Sequence, residues 1–531
     1  MLGGQPIIIL RENVERNRGL EAQRSNIAAA KAIASAVRTT LGPRGMDKML
    51  VSGTGDVTIT NDGATILSEI SVQHPGAKMV IEVARAQDEE VGDGTTTAVV
   101  LVGSLMEQAE RLIVQKIHPT LIAQGYRMGM HKALEILDEL AVTIDPYDRG
   151  NLVRIADTAM TGKSIESVKS KLNGIVVDAV MTIAEKKDGA IVADEDNVLI
   201  KKQRGDTMDD AELVRGVVLD KTRFSEEMPR KVRNAKVALV ATQMEIKKTQ
   251  VKAKIRISSR DQISAFSTQE REALKKLADA VIDSGANVLL CQKSIADAVG
   301  YYLAKGGVLA VEDVPEKDMK FAALALNAEI VNKPEDLTEK SLGIAEIVEQ
   351  PDDIEIVKIS GCRNPKAVTI LLRGSTEYLL DELERAVVDG TRVVMDAMED
   401  GKMLAGGGSV ETELLMKIRD FAATVGGRVQ LAIEAYAASF EVIPQTLAEN
   451  SGFNPLDKLV ELKSAHAKGK KYAGLNVYNG KIIDMLKEGV VEPHRSKRQS
   501  IQSSAEAAIL LMRVDDMMIT QQKEPAGAPP S

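Results

Sequence analysis

Six residues, Gly92-Asp93-Gly94-Thr95-Thr96-Thr97, place the tightest local constraint on this chain. Glycines at 92 and 94 permit a sharp bend and a close approach of the backbone to a ligand. The apolar residues that follow, Val99, Val102, Leu105, Met106, Ala109, Leu112 and Ile113, recur at spacings of three and four. The stretch therefore predicts a turn that becomes a helix running to about Ile117. A helix start carries unpaired N–H groups and the positive end of the dipole, so it favours an anion. The hydroxyls of Thr95, Thr96 and Thr97 add donors suited to phosphate oxygens. Asp93 is out of place beside a phosphate unless a metal bridges the two, and Mg2+ is the usual bridge. The alternative is a plain Asp-Gly turn capped by threonine.

Helical patterns fill the first third. Residues 20–40 put Ile27, Ala30, Ile33, Ala34 and Val37 on one face and stop at the breaker Leu41-Gly42-Pro43-Arg44-Gly45. Residues 49–51 and 57–60 read as a hairpin. Asp62 follows at a strand-to-helix junction, where an aspartate serves as an N-cap or as a functional carboxylate. Helices continue to about Leu140, with Pro119 opening a new one, and the pattern over 151–187 is helical again. Thr161-Gly162-Lys163-Ser164 is not a P-loop, because Asp157 stands where the motif needs glycine and no strand precedes it. Lys163 can still reach a phosphate from a loop.

Near Arg215 the texture changes. Apolar β-rich runs at 237–240, 288–290 and 308–311 alternate with helical stretches at 270–282 and 294–304, which predicts an α/β layer with a partly parallel sheet. A long Lys-rich insertion, about 243–267, carries Met244, Ile246, Val251, Ile255, Ile257 and Phe266. It reads either as an arm for another chain or as a loop folded back on its own domain. After Arg373-Gly374-Ser375-Thr376 a helix reaches about Glu399, with Asp389 and Asp396 inside it. Ala405-Gly406-Gly407-Gly408 opens more helices to about Glu461. Asn476, Asp484 and Val490-Val491-Glu492-Pro493 precede a final helix over 503–512, a short strand and a Pro-rich tail, 521–531, expected to be disordered.

Composition narrows the function class. With no Trp and 6 Phe the cores must be aliphatic. A net charge of −9 argues against non-specific nucleic-acid binding. Cys291 and Cys362 lie far apart with no metal-type spacing, which suggests a reducing compartment. No apolar run approaches membrane-spanning length and no signal peptide opens the chain; Ile7-Ile8-Ile9-Leu10 reads as a strand. A cytoplasmic protein is expected.

The runs TTLGPRGMDKML, TNDGATIL, EVGDGTTTAVVL, MLAGGGSVE and VVEPHRSKRQSI follow one another in this order. Together they resemble the chaperonin family over residues 6–520. The insertion at 243–267 is similar to the helical protrusion of the group II branch, with the archaeal thermosomes the nearer likeness and the eukaryotic cytosolic chaperonin the neighbour. The tail departs from the Gly/Met-rich ends common among archaeal members.

The resemblance implies a multidomain α and α/β fold. Its parts would be a mainly helical equatorial domain (1–145 and 402–531), a small connector (146–213 and 374–401) and an α/β apical domain (214–373) bearing the lid protrusion. It implies an ATPase that binds ATP or ADP with Mg2+, takes non-native polypeptides as partners, and assembles as a double ring of like subunits. Residue by residue, Thr40, Leu41, Gly42 and Pro43 match the loop packed on the nucleotide. Asp93 matches the Mg2+ ligand, and Gly94, Thr95, Thr96 and Thr97 the phosphate cradle. Asp62 and Asp389 match the carboxylates around the hydrolytic water, Lys163 the lysine that senses the γ-phosphate, and Gly407, Gly408, Asn476 and Glu492 positions around ribose and base. Asp396 is a rival to Asp389. Since Asp62 and Asp389 fall in different domains of this division, hydrolysis is expected to need domain closure. Two competing readings are a small-molecule kinase, for which no segment supplies a second pocket, and a structural ring protein with an incidental ATPase.

Overall fold

The computed structural model describes residues 14–53, 55, 57–162, 168–205, 210–246, 260–352 and 354–520. Two compact units result, one from the chain up to Ser170 together with Arg385 onward, the other from Lys171–Glu384. The expected split into helical outer thirds and an α/β middle is found.

The first unit is built around the helix Thr95–Val114, buried on nearly every side from Thr95 to Met106. A helix apolar all round must sit in the middle of a bundle. Its neighbours are Leu20–Arg38, Pro75–Val91, Pro119–Leu140, Gly427–Ser439 and His494–Arg513. The core they share is aliphatic, as the composition requires, apart from Tyr126, Tyr436 and Phe440, whose rings meet edge to face. The Tyr126 hydroxyl donates to Leu105 O at 2.7 Å, so its polar end is satisfied inside the core. Each fully buried aliphatic side chain contributes roughly 1.5–3 kcal/mol. The chain ends of this unit are joined: Val14–Arg18 pairs antiparallel with Asp516–Thr520. A three-stranded antiparallel sheet, with Lys402–Ala405 between Val491–Pro493 and Val142–Thr143, ties the late segments to the early ones.

The second unit holds a seven-stranded mixed sheet. Lys231–Val240 pairs parallel with Val288–Cys291, which pairs parallel with Leu309–Val311. On its other edge Lys231–Val240 pairs antiparallel with Gly343–Glu349 and parallel with Ile330–Val331. Val357–Ser360 and Val217–Leu219 complete the sheet. Val288–Cys291 and Leu309–Val311 are buried throughout, which is why they read as continuous apolar runs. A smaller sheet joins Val198–Arg204, Val368–Gly374 and Glu212–Val214.

Two sequence expectations change. The helical pattern over 151–187 is two helices, Arg149–Met160 and Lys169–Ile183, and the last three residues form a strand, Glu185–Lys187, paired with Ala190–Val192. Asp188 and Gly189 both take positive φ, as an Asp-Gly hairpin turn requires. The final helix is His494–Arg513 rather than 503–512. Its first turns bury His494, Ser496, Lys497 and Ser500, so no apolar stripe announces them. Of the insertion, residues 243–246 fold onto their own unit: Met244 is fully buried, and its N–H donates to Ser294 O at 3.0 Å. Residues 247–259, the strand reading at 7–10 and the tail 521–531 lie outside the described residues.

Candidate functional site

A cavity of about 440 Å³ opens in the first unit. Its wall is assembled from stretches far apart in sequence, and each reaches it for a local reason.

The turn before Thr95 behaves as its glycines demand. Gly92 ends Pro75–Val91 in the left-handed region (φ 65°), and Gly94 starts the next helix at φ 81°. The Asp93 carbonyl accepts from Gln87 Nε2 at 2.7 Å and from Ser496 Oγ at 3.3 Å, so the turn is fixed through its backbone. Thr95, Thr96 and Thr97 line the cavity, at the end where helix N–H groups lack intrahelical acceptors. A second helix start faces them. Asp62 caps Gly63–Glu69, its Oδ2 accepting from Thr65 N at 2.7 Å, and it also lines the cavity. It is thus both an N-cap and a cavity carboxylate. The two helix starts come close because residue 63 is glycine: a Cβ there would stand 2.6 Å from Thr96 Oγ1.

Thr40, Leu41, Gly42 and Pro43 form another wall. Asn450 Nδ2 donates to Leu41 O at 2.9 Å and so ties this loop to the helix Val442–Asn450. Thr161 and Gly162 close over it, and Asn61 Nδ2 donates to Gly162 O at 2.6 Å. Lys163 lies outside the described residues. Lys169, which sequence reasoning passed over, is a described cation in this wall. Its Nζ donates to Thr161 Oγ1 at 2.8 Å and stands 3.3 Å from Asp157 Oδ1.

The far wall carries Gly407, Gly408, Asn476 and Glu492. Gly408 starts Ser409–Val425 in the left-handed region. Asn476 Oδ1 accepts from Tyr478 N and Asn479 N, an Asx turn that holds the segment's shape. Glu492 is one arm of a charged triad: Lys497 Nζ lies 2.6 Å from Glu492 Oε2 and 2.7 Å from Glu411 Oε1. Burial pushes the Glu492 carboxyl above its ordinary range against the pull of Lys497, and Glu411 and Asp93 add repulsion. Burial opposes the Lys497 charge too, but the two carboxylates outweigh it and hold the ammonium protonated.

Asp389 and Asp396 both sit in the helix Glu377–Asp400. Asp389 lines the cavity. Asp396 does not belong to that lining: it is buried against Arg495, whose Nη1 donates to its Oδ1 at 2.8 Å. Burial pushes Asp396 up to about 7, with the Arg495 guanidinium pulling the other way. Asp389 lies in the same compact unit as Asp62 and Asp93 and lines the same cavity.

The lining carries Asp62, Asp93, Asp157, Asp389, Glu411, Glu488 and Glu492 against Lys169 and Lys497 among the described residues. A polyanion enters so acidic a cavity only with a counter-cation. Oxygen donors beside a helix start suit a hard divalent ion that keeps several waters, which fits Mg2+ at Asp93. Sequence reasoning missed Glu411, Lys169, Ser496 and Lys497. Glu411 and Lys497 sit inside the runs MLAGGGSVE and VVEPHRSKRQSI, but nothing in their spacing pairs them.

Residues 33–522 match the TCP-1/cpn60 chaperonin family. A thermosome subunit beta of Archaeoglobus fulgidus is 50% identical over 530 residues, 99% of this chain and 97% of its own. A thermosome subunit of Methanopyrus kandleri is 51% identical over 521 residues, covering 98% and 96%. One from Pyrococcus horikoshii is 49% identical over 525 residues, covering 98% and 96%.

Proposed function

Since the chain belongs to the TCP-1/cpn60 chaperonin family, we propose that it is an ATP-hydrolysing molecular chaperone that encloses non-native polypeptides in a double ring of like subunits. The observation that carries this reading is the convergence of two helix starts and the carboxylates of Asp62, Asp93 and Asp389 on one cavity. That arrangement suits phosphoryl transfer to water, which needs charge neutralisation and an aligned nucleophile more than covalent help.

Mg2+ held at Asp93 would neutralise charge developing on the phosphates. The N–H groups and hydroxyls of Gly94, Thr95, Thr96 and Thr97 bind the phosphate oxygens. Asp62 and Asp389 orient the attacking water, and Asp389 accepts its proton. Thr40, Leu41, Gly42 and Pro43 pack on the nucleotide and exclude bulk water. Gly407, Gly408, Asn476 and Glu492 contact ribose and base, and Lys163 reads the γ-phosphate. In this reading 1–145 and 402–531 are the nucleotide domain, 146–213 and 374–401 a connector, and 214–373 the polypeptide-binding domain. Among the described residues no helix is long and apolar enough to cross a membrane, and we place the protein in the cytoplasm.

Electron micrographs of the purified protein should show double rings with central cavities, and a denatured client should refold with ATP but stay bound with a non-hydrolysable analogue. A small ATPase without rings would return the kinase reading. Refolding that ignores the nucleotide would leave a ring with an incidental ATPase.

The arm gives a separate expectation. Because Met244 belongs to the core of its own unit, the segment to remove is 247–259, bridged by a short flexible linker. The deletion should leave ATP hydrolysis within about twofold, since none of the residues assigned to the chemistry lies in the segment. It should abolish protease protection of a client in the ATP-closed state. A shortened protein that still protects its client would refute the assignment of the arm to a lid.

A further inference from the structure

The helix Glu377–Asp400 contributes Asp389 to the cavity, and its last two turns are gathered by a residue the proposed chemistry does not use. Arg495 Nη1 donates to Asp396 Oδ1 at 2.8 Å and to Glu399 Oε2 at 2.9 Å, and Nη2 donates to Asp400 Oδ1. A planar guanidinium can hold several carboxylates at once in fixed directions; an ammonium cannot. Asp396 is 6% exposed and, among the described residues, its second oxygen has no hydrogen-bond partner, so Arg495 is the cation that meets its charge.

Arg495 is not part of the cavity lining, but the two residues after it are. Ser496 Oγ donates to the Asp93 carbonyl, and the Ser496 carbonyl accepts from Gln87 Nε2 at 3.1 Å. Lys497 joins Glu411 and Glu492. One turn of the helix His494–Arg513 therefore grips the end of the Asp389 helix through residue 495, the Asp93 turn through 496 and the opposite wall through 497. The Asp389 helix has a second anchor one turn from Asp389, where Arg392 Nη1 donates to Asp88 O at 3.0 Å.

We propose that Arg495 is a positioning residue: by fastening Asp396, Glu399 and Asp400 to the turn that also holds Asp93 and Glu492, it fixes where Asp389 stands over the phosphate site. Asp396 lies two turns beyond Asp389, roughly 10 Å along a rigid helix. A tilt at the clamp is carried to Asp389, and a misplacement of about 1 Å costs on the order of a hundredfold in rate. The inference rests on the ATPase reading given above.

The test uses the full-length protein, with steady-state ATPase, ADP affinity and thermal midpoint measured together. Arg495→Lys keeps the charge and loses the fork. It should lower kcat about tenfold while ADP affinity stays within about twofold. Glu399→Gln, at a side chain 24% exposed, removes one acceptor and should lower kcat a few-fold with affinity unchanged. If Arg495→Lys does not fold, Glu399→Gln decides on the same readouts. A lowered midpoint with wild-type kcat per folded site in these variants overturns the proposal, as does a parallel loss of affinity and kcat. A wild-type protein without ATPase would instead remove the functional reading, an outcome visible before any variant is made.

Discussion

Asp389→Ala should lower ATP turnover by a hundredfold or more while nucleotide affinity stays within about twofold. Removal of a positioned general base costs about 10²–10⁴ in rate, and a hundredfold is roughly 2.7 kcal/mol of barrier. Binding should be spared because, in the proposed reading, the phosphates are taken up by Gly94 to Thr97 and by a metal at Asp93 rather than by Asp389. Alanine also suits the helix interior, so the substitution does not unwind Glu377–Asp400. Asp396→Ala is the comparison, since residues 389 and 396 share a face of a regular helix. That variant strips Arg495 of one buried partner and should show itself first as a lowered thermal midpoint. If Asp396→Ala loses turnover at unchanged stability while Asp389→Ala keeps it, the catalytic carboxylate has been placed two turns from its true position.

Asp93→Ala should abolish the dependence of nucleotide binding on Mg2+ and with it turnover. In the wild type, chelating Mg2+ should weaken ADP binding by at least about tenfold, roughly 1.4 kcal/mol; in the variant the same addition should change it less than about twofold. The turn should survive, because it is the Asp93 carbonyl that receives Gln87 and Ser496, and residue 93 is not among those at positive φ. A second readout follows from the electrostatics. The Asp93 charge helps hold the Glu492 carboxyl above its ordinary range, so the variant should return that group part of the way down, visible by carboxyl-resolved NMR titration. Mg2+-dependent binding that persists in Asp93→Ala would remove this residue from the metal site.

Much of this molecule was legible because its signals are local. The turn at Gly92 to Thr97, the aliphatic helix after it, the breaker at Leu41 to Gly45 and the parallel core strands all declare themselves within a dozen residues. The described candidates Thr40, Asp62, Asp93, Asp389, Gly407, Asn476 and Glu492 all line one cavity. What stayed hidden is burial without hydrophobicity. The first turns of His494–Arg513 are interior yet read as His-Arg-Ser-Lys-Arg-Gln-Ser, a string indistinguishable from a solvated loop until Glu411, Glu492 and Asp396 are known to face it. Asp389 against Asp396 was undecidable for the same reason, since their difference lies in a partner about a hundred residues away. The hairpin at Asp188-Gly189 was a readable signal that the longer helical pattern obscured.

The pairing of Val14–Arg18 with Asp516–Thr520 has a meaning for how the protein is made. The first unit is split around the second, so a chain emerging from the ribosome can complete the inner unit, which is contiguous, long before the outer one. At roughly 5–20 residues per second, the helix Thr95–Val114 waits tens of seconds for His494–Arg513 to cover it. During that time Leu20–Arg38, Pro75–Val91 and Pro119–Leu140 can pack against it, but the faces taken by Gly427–Ser439 and His494–Arg513 stay uncovered, and the cavity wall that carries Glu492 and Lys497 has not been synthesised. Until then the outer unit is itself a non-native chain, and the pairing of Val14–Arg18 with Asp516–Thr520 can form only after the helix that covers its core has been made.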